Sequence, residues 1–345
     1  MDVLLIGMGM VADTHVLALR DNGAGARLTA VLGRDPARTQ AFCDRAAQVL
    51  GHPVAALTDP RDALAKRPGM ALVITPPNAR TAYARLLTQA QIPTLMEKPV
   101  ERTYLAATTI VDAYARAQVP LGLCFQHRTR AAAQALKVRL REGALGEIIH
   151  VEIRVPWWRD QSYYDAPGRG SYDRDGGGVM ISQAIHTLDL ALWLAGPVER
   201  LQAQMRSSPL HRMEAEDIAG ALLSFRSGAT GLLSATTTAY PGGAESIALT
   251  TERAQVHLQG DALRIDWHDG RVDEHAPEED TGTGGGADPM AFTHAWHQAV
   301  IEDFVTAVET GVPSLARPDE ALHVHAVIHA MELAAKTGLT TKVPL

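Results

Sequence analysis

The sequence predicts an α/β protein in two parts, a doubly wound parallel sheet followed by an α+β region with a mostly antiparallel sheet. Up to about residue 125, short apolar runs alternate with helical segments, which is typical of βαβ units in a parallel sheet. After the helix that holds His186, close-spaced segments without intervening helices indicate antiparallel strands. We therefore expect one domain over residues 1–124 and a second over residues 125–345.

Composition excludes several classes of protein. The chain of 345 residues is 46% hydrophobic and 21% charged, as is ordinary for a globular protein of two domains. Its net charge of −7 and the lack of a Lys/Arg run argue against nucleic-acid or anionic-membrane partners. No apolar run is long enough to span a bilayer. Cys43 and Cys124 are read as small buried residues in a reducing compartment. We expect a cytoplasmic protein.

The first strand leads directly into a glycine motif. Val3 to Ile6 form an apolar run, and Gly7, Gly9 and Ala12 follow with G-x-G-x-x-A spacing before a helical segment. Gly7 permits the tight turn, Gly9 lets the backbone approach a pyrophosphate, and Ala12 keeps the helix close to the strand. The placement directly after a strand predicts a dinucleotide-binding Rossmann turn.

The end of the second predicted strand (residues 28–32) bears on the choice of cofactor. NAD-binding proteins usually place an acid there, about 20 residues beyond the glycines, for the ribose 2′-hydroxyl. This sequence has Gly33 and Arg34, with Arg38 one turn on. Because arginine favours a 2′-phosphate, the sequence predicts NADP(H). The alternative is that Asp35 binds the ribose, Arg34 is solvated and NAD is the cofactor.

Two further strand ends carry candidate residues, because ligands of such sheets bind at the carboxyl ends of strands. Residues 71–74 end in a Thr-Pro-Pro-Asn turn, and the next strand ends in Glu97, Lys98 and Pro99. A desolvated lysine changes its pKa readily, which suits Lys98 to proton transfer. The candidate cofactor-binding residues are Gly7, Gly9, Met10, Val11, Ala12, Gly33, Arg34, Arg38, Thr75, Pro76, Pro77, Asn78, Glu97, Lys98 and Gln126.

A second glycine run, Gly176 to Gly178, precedes a helix in the other half of the chain. Ser182, His186 and Asp189 recur at i, i+4 and i+7 and so share one face of that helix. A hydroxyl, an imidazole and a carboxylate in line offer a surface for proton transfer. The alternative is a core helix whose histidine is only hydrogen-bonded.

The segment before this helix is rich in aromatic and polar residues and predicts a substrate pocket that stacks and hydrogen-bonds a polyhydroxylated ring. The alternative is a loop that only packs. The candidate substrate-binding residues are Lys98, Trp158, Tyr163, Tyr164, Arg169, Ser182, Gln183 and His186.

Two histidine pairs further along the chain are at spacings that suit a metal. No acidic or cysteine partner completes such a site for His325 with His329 or for His294 with His297. We therefore interpret these histidines as structural or solvent-facing and predict no metal site. Residues 276–289 are predicted to be a flexible, low-complexity loop.

These motifs, taken in order, resemble the Gfo/Idh/MocA family, and the resemblance covers nearly the whole chain. It rests on Gly7-x-Gly9-x-x-Ala12 with His15 beyond, Thr75-Pro76-Pro77-Asn78, Glu97-Lys98-Pro99, and Gly176-Gly177-Gly178 leading to His186-x-x-Asp189. It implies a Rossmann domain, a C-terminal domain with a large open sheet, and a homodimer or homotetramer assembled through that sheet. Lys98 and His186 would be the catalytic proton-transfer pair. Ser182 stands where many members carry Asp, which departs from a Lys/Asp/His relay.

The resemblance implies an oxidoreductase that transfers a hydride between NADP(H), or NAD(H), and a carbinol or carbonyl carbon of a sugar, sugar derivative or cyclitol. Two alternatives come from other classes. One is a regulatory protein that senses a dinucleotide without catalysis, against which Lys98 and His186 both argue. The other is a glycosidase that uses the cofactor transiently.

Overall fold

The structure is a computed structural model that describes residues 1–277, 282, 284–286 and 288–344. The chain divides into two compact units. The first unit consists of Met1–Glu101, Leu105–Gln126 and His294–Leu322. The second unit consists of Arg102–Tyr104, His127–Thr293 and His323–Leu345.

The first unit contains a six-stranded parallel sheet in the order β3-β2-β1-β4-β5-β6. This is the strand order of a doubly wound Rossmann sheet, as predicted. Its central strands are buried on both faces, which explains their continuous apolar sequences. The strands are β1 (Asp2–Ile6), β2 (Arg27–Leu32), β3 (Ala55–Leu57), β4 (Met70–Val73), β5 (Thr94–Glu97) and β6 (Leu121–Cys124).

The second unit contains a nine-stranded sheet in the order β14-β13-β12-β11-β7-β10-β9-β8-β15. Only the pair of β7 and β10 is parallel, which confirms the predicted mostly antiparallel sheet. The strands are β7 (Ile148–Pro156), β8 (Val198–Arg206), β9 (Ile218–Phe225), β10 (Thr230–Thr236), β11 (Ser246–Thr251), β12 (Ala254–Gln259), β13 (Ala262–Trp267), β14 (Val272–His275) and β15 (Thr341–Lys342).

Ten α-helices accompany these strands in the described residues. They are α1 (Ala12–Asp21), α2 (Pro36–Leu50), α3 (Pro60–Ala65), α4 (Arg80–Gln89), α5 (Tyr104–Ala117), α6 (Ala131–Arg141), α7 (Gln161–Asp165), α8 (Ile185–Ala195), α9 (Ala295–Thr310) and α10 (Pro318–Thr337). Short 3₁₀ turns cover Pro77–Ala79 and Gln126–Thr129, and a π-helical turn over Met180–Ala184 leads into α8. Among the described helices, none combines the length and the apolar character that a membrane span requires.

The division into units differs from the predicted boundary after residue 124 at three places. Residues 102–104, which the sequence assigned to the first domain, belong to the second unit, and residues 125 and 126 belong to the first. Residues 294–322, which the sequence assigned to the second domain, belong to the first unit. Helix α9 packs against α1 and β6 there, and its Val300, Ile301 and Phe304 join the core around β1. A Cβ atom at Gly122 in β6 would lie 2.5 Å from the Phe304 ring, so this glycine makes room for the helix.

The predicted loop over residues 276–289 is described only in part, because residues 278–281, 283 and 287 lie outside the described residues. Gly284, Gly285 and Gly286 contact the segment after β7. The backbone N–H of Trp158 donates to the Gly285 carbonyl at 3.0 Å. The buried Arg159 guanidinium donates to the carbonyls of Gly284 and Gly286 at 2.7 Å each. Arg159 therefore anchors this part of the loop.

Candidate active site

The glycine motif forms a tight turn at the carboxyl end of β1. Gly7 has φ +101°, and a Cβ atom there would lie 3.0 Å from the Thr75 amide nitrogen. At Gly9 a Cβ atom would lie 3.3 Å from the Ile74 carbonyl oxygen. Only glycine fits this conformation and close approach without strain. Helix α1 then begins at Ala12 with no side-chain cap, which leaves its N-terminal amides available to a phosphate.

The end of β2 places two cations at the surface. The Arg34 and Arg38 side chains are exposed, and in the described part of the chain neither forms an ion pair. Asp35 instead caps α2, where its Oδ1 accepts the Arg38 backbone N–H at 2.8 Å. A Cβ atom at Gly33 would lie 2.1 Å from Thr39 Oγ1 and 2.6 Å from Met8 Cε. Packing therefore excludes an acidic side chain at position 33.

Arg80, at the start of α4, is a site residue that the sequence analysis missed. Its side chain is buried and donates to the Thr75 carbonyl from Nε at 3.1 Å and from Nη2 at 2.9 Å. Its Nη1 also donates to the carbonyls of Glu97 and Pro99. Burial lowers the pKa of Arg80 to about 10, so the guanidinium stays charged at neutral pH. One arginine thus joins the turn after β4 to the turn after β5.

The turn that Arg80 joins to β5 contains four predicted cofactor-binding residues. Thr75 and Pro77 are buried, whereas Pro76 and Asn78 are exposed. The Thr75 Oγ1 atom is buried and has no hydrogen-bond partner in the described structure. An unsatisfied buried hydroxyl costs free energy, so Thr75 suits contact with a bound molecule.

Glu97 lies inside a buried cluster with three other side chains. Its Oε1 is 2.9 Å from His15 Nε2 and 3.6 Å from His297 Nε2. Burial alone would raise the pKa of Glu97, but the hydrogen bonds from both histidines hold it well below its usual value. Burial also raises the pKa of the Cys124 thiol, which keeps it protonated.

This cluster corrects the expectation that no acidic or cysteine partner accompanies His297. Ligand atoms of His15, Glu97, Cys124 and His297 all lie within 4.8 Å of one another, although they are far apart in sequence. Such donors are compatible with a metal ion. They also satisfy one another as a hydrogen-bonded network, in which the second Glu97 oxygen accepts the Lys98 backbone N–H at 3.2 Å. The network therefore fixes the backbone at Lys98.

Lys98 follows β5 directly and is half-buried. A cis peptide bond joins it to the buried Pro99. Its carbonyl accepts from Arg80 Nη2 at 3.5 Å. Gln126 is buried in the 3₁₀ turn after β6. Lys98 and Gln126 therefore both follow carboxyl ends of strands in the parallel sheet.

In the second unit, Glu216 holds the glycine run that precedes α8. Its carboxylate accepts the backbone N–H groups of Gly178 and Met180 at 3.0 Å each, and its carbonyl accepts that of Val179 at 2.8 Å. A Cβ atom at Gly178 would lie 1.7 Å from the Glu216 carbonyl oxygen. The third glycine is therefore required for this contact. No local signal in the sequence indicated Glu216.

The approach to His186 includes a π-helical turn, which the regular helical spacing did not predict. Such turns often occur at functional sites. His186 is buried and its ring stacks on that of His127, with centroids 4.9 Å apart. Asp189 is fully buried and binds Arg128 in a bidentate pair, at 2.8 Å from Nε and 2.6 Å from Nη2. Both Asp189 oxygens therefore contact Arg128.

The two tyrosines of the aromatic segment before α8 differ in their burial and in their contacts. Tyr163 is half-buried and lies between two guanidinium groups, with Arg169 Cζ 4.9 Å and Arg159 Cζ 5.6 Å from its ring centre. Its hydroxyl accepts from Gln183 Nε2 at 3.4 Å. Tyr164 is buried, and its hydroxyl bonds Thr237 Oγ1 at 2.7 Å. The Tyr164 hydroxyl is thus already engaged within the unit.

Two other predicted substrate-binding residues are half-buried. The Trp158 ring packs edge-on against Tyr240, with centroids 5.3 Å apart. Ser182 lies in the π-helical turn. Within the second unit the structure thus brings Tyr163, Arg169 and Gln183 together. Of these, Gln183 stands three residues before His186 on the same helical segment.

Models of one protein family match both parts of the chain. The model described as "Oxidoreductase family, NAD-binding Rossmann fold" matches residues 1–125, and the "GFO/IDH/MocA C-terminal domain" matches residues 133–260. The chain belongs to the GFO/IDH/MocA oxidoreductase family.

Similar proteins include named sugar dehydrogenases and a solved complex. D-Apiose dehydrogenase of Paraburkholderia graminis is 31% identical over 66% of this chain. D-Glucoside 3-dehydrogenase of Escherichia coli is 28% identical over 56% of it. The matched regions span 58% and 54% of those two relatives' lengths. The WlbA dehydrogenase of Bordetella pertussis, solved with NADH and UDP-GlcNAcA, has a TM-score of 0.82 at 28% identity. That match covers 100% of this chain and 99% of the other.

Proposed function

We propose that this protein is an oxidoreductase that transfers a hydride between a nicotinamide dinucleotide and a carbinol carbon of a sugar or sugar derivative. The observation that carries the proposal is the Gly7–Gly9 turn at the end of β1, in a chain whose two parts both match the GFO/IDH/MocA family. The names of the similar dehydrogenases support a sugar-like substrate.

The cofactor that we propose is NADP(H). Exposed Arg34 and Arg38 at the end of β2 support this choice, as does the packing that excludes an acid at position 33. A 2′-phosphate makes charge-assisted hydrogen bonds with such guanidinium groups. When bound, the nicotinamide accepts or donates the hydride.

For the proton we propose His186 as general base. Imidazole titrates near neutral pH and can accept the hydroxyl proton as the hydride leaves. Lys98 would hydrogen-bond the same hydroxyl and stabilise the developing negative charge. The backbone at Lys98 is fixed on one side by Glu97 and on the other by Arg80, which supports a positioned rather than a mobile lysine.

We also propose assembly into a homodimer or homotetramer through the nine-stranded sheet. Leu222 on β9 and Leu232 on β10 are cross-strand partners, and both are exposed, at 55% and 44%. Neighbouring exposed apolar side chains favour a protein contact. Sedimentation of the intact protein tests this, and a monomer would exclude it. The unpaired, buried Cys43 and Cys124 support a cytoplasmic location.

The experiment that tests the function is an assay at 340 nm with a panel of sugars, cyclitols and sugar acids and with both cofactors. We expect His186→Ala and Lys98→Ala each to lower kcat by about 10²–10⁴-fold on the best substrate. Binding of NADP and the fold should survive in both variants. The exposed Lys66→Ala is the matched control and should keep full activity. Near-native turnover by either site variant would make that residue structural.

A further inference from the structure

We propose that the side chains around Tyr163 form a subsite for an anionic group of the substrate, a carboxylate or a phosphate. The inference rests on the proposed function and narrows its substrate class to sugar derivatives that carry a negative charge.

Two guanidinium groups lie over the Tyr163 ring, with Arg169 Cζ 4.9 Å and Arg159 Cζ 5.6 Å from its centre. Arg159 is 2% exposed, and its hydrogen bonds in the described structure go to the backbone carbonyls of Trp158, Gly284 and Gly286, which carry no net charge. Its Nε has no partner in the described structure. In the residues that the structure describes, neither Arg159 nor Arg169 forms an ion pair. The charge of Asp288 acts on Arg159 without a direct ion pair, and its Oδ1 accepts the Met290 backbone N–H at 2.8 Å. A buried cation that no carboxylate contacts directly favours an anionic ligand.

The nearby loop carboxylates make other contacts. Asp160 caps α7 by accepting the Ser162 backbone N–H at 2.9 Å. Asp175 is buried and accepts the Gly170 backbone N–H at 3.1 Å. The positive field around Tyr163 is therefore not cancelled by a direct contact with either acid.

Arg169 is the cation that can reach a ligand. It is half-buried and stacks on a ring that is itself half-buried, whereas Arg159 lies deeper. The planar guanidinium fork matches the two oxygens of a carboxylate or phosphate in a bidentate contact. We assign the direct contact to Arg169 and a long-range contribution to Arg159.

Gln183 connects the Tyr163 ring, on which Arg169 stacks, to the helical segment that contains His186. Its side chain is 4% exposed, and its Nε2 donates to the Tyr163 hydroxyl at 3.4 Å. The buried Oε1 has no hydrogen-bond partner in the described structure. Leaving a buried amide oxygen unsatisfied is costly, and a sugar hydroxyl would supply the missing donor. One substrate could therefore meet Gln183 with a hydroxyl and Arg169 with its anionic group.

The test is calorimetric binding to the intact protein in the presence of saturating NADPH. Matched probes are D-glucose with D-glucuronate, D-galactose with D-galacturonate, and D-glucose with D-glucose 6-phosphate, so the arms separate carboxylate from phosphate. We expect at least one anionic member to bind about tenfold or more tightly than its neutral partner, and to weaken with added salt. If no anionic probe binds more tightly than its neutral partner, the inference is overturned.

Variants then locate the contact. Arg169→Gln should weaken binding of the anionic probe by about 10–100-fold and change binding of the neutral sugar by less than about twofold. Arg169→Lys should restore part of the loss. Arg212→Gln removes the same charge from a side chain that is 84% exposed, and should change neither. Equal losses for both probes in Arg169→Gln would show that Arg169 only supports the loop, and would overturn the assignment.

The outcomes also separate the inference from the proposed function. If anionic sugars bind tightly but no cofactor is reduced, the proposed function fails and the anion subsite stands. If neutral and anionic sugars are oxidised with equal kcat/KM, the function stands and the subsite fails.

Discussion

Single residues at the end of β2 support the proposed choice of NADP(H) as cofactor. Gly33 has a structural reason to be glycine, because a Cβ atom there would meet Thr39 and Met8. An acid that would bind a ribose 2′-hydroxyl does not fit at this position. Arg34 is exposed beside it, and Asp35 is used as a helix cap. Packing and charge therefore both favour a phosphorylated ribose.

We predict that Arg34→Ala lowers the affinity for NADPH roughly tenfold and leaves the affinity for NADH nearly unchanged. The reason is the loss of one charge-assisted contact to the 2′-phosphate. Fluorescence titration of the intact protein with both reduced cofactors measures this. The exposed Arg85→Ala on α4 serves as control for the loss of one positive charge. Tighter binding of NADH than NADPH by the unmodified protein would contradict the assignment.

At the scale of elements, two buried carboxylates fix the segment that runs from Gly176 through α8. Glu216 binds the amides at its start, and Asp189 within α8 pairs with Arg128. In the sequence, His186 lies between these two points of contact. Both depend on residues that are distant in sequence, so local pattern could predict the helix but not what holds it.

We predict that Asp189→Asn lowers the free energy of unfolding by about 3–5 kcal/mol, because it removes the negative charge from the bidentate contact with the buried Arg128. Asp189 and Arg128 side chains are 0% and 1% exposed. Urea unfolding followed by far-UV circular dichroism measures the change. Asp173→Asn, on a side chain that is 93% exposed and pairs with Arg102, is the control and should change stability by less than about 0.5 kcal/mol. Equal effects of the two substitutions would refute the role of the buried pair.

At the scale of the whole molecule, stability should depend on pH through Glu332. Burial raises its pKa to about 7, from 4.5 in the unfolded chain, and the charge of Glu216 adds to the shift. The folded state therefore binds a proton more tightly. This contribution is fully present below pH 4.5 and is lost as the pH rises through 7.

Glu332→Gln removes this titration and should flatten the pH dependence. Relative to the unmodified protein, we expect the variant to gain about 1–2 kcal/mol of unfolding free energy between pH 5 and pH 8. Urea unfolding at both pH values measures it. The exposed Glu309→Gln on α9 is the control and should leave the slope unchanged. An unaltered slope in Glu332→Gln would contradict the expectation.

How much could be predicted from the sequence also depends on scale. The Gly7–Ala12 turn was predictable because strand, glycines and helix are consecutive. The place of α9 was not, since it depends on Phe304 filling the space beside Gly122. The cluster of His15, Glu97, Cys124 and His297 and the contacts of Arg80 arise only when distant segments meet. Tertiary packing carries that information.

The stoichiometry of cofactor reduction is the most direct test of the proposed hydride transfer from a carbinol carbon to the nicotinamide. The protein is incubated with NADP⁺ and its best substrate, NADPH is measured at 340 nm, and the converted sugar is quantified by NMR. We predict one NADPH formed for each carbinol oxidised, and formation of both products about 10²–10⁴-fold more slowly in the His186→Ala variant. Product without net NADPH would indicate transient use of the cofactor. If no member of the panel reduces NADP⁺ or NAD⁺, the proposed oxidoreductase function is contradicted.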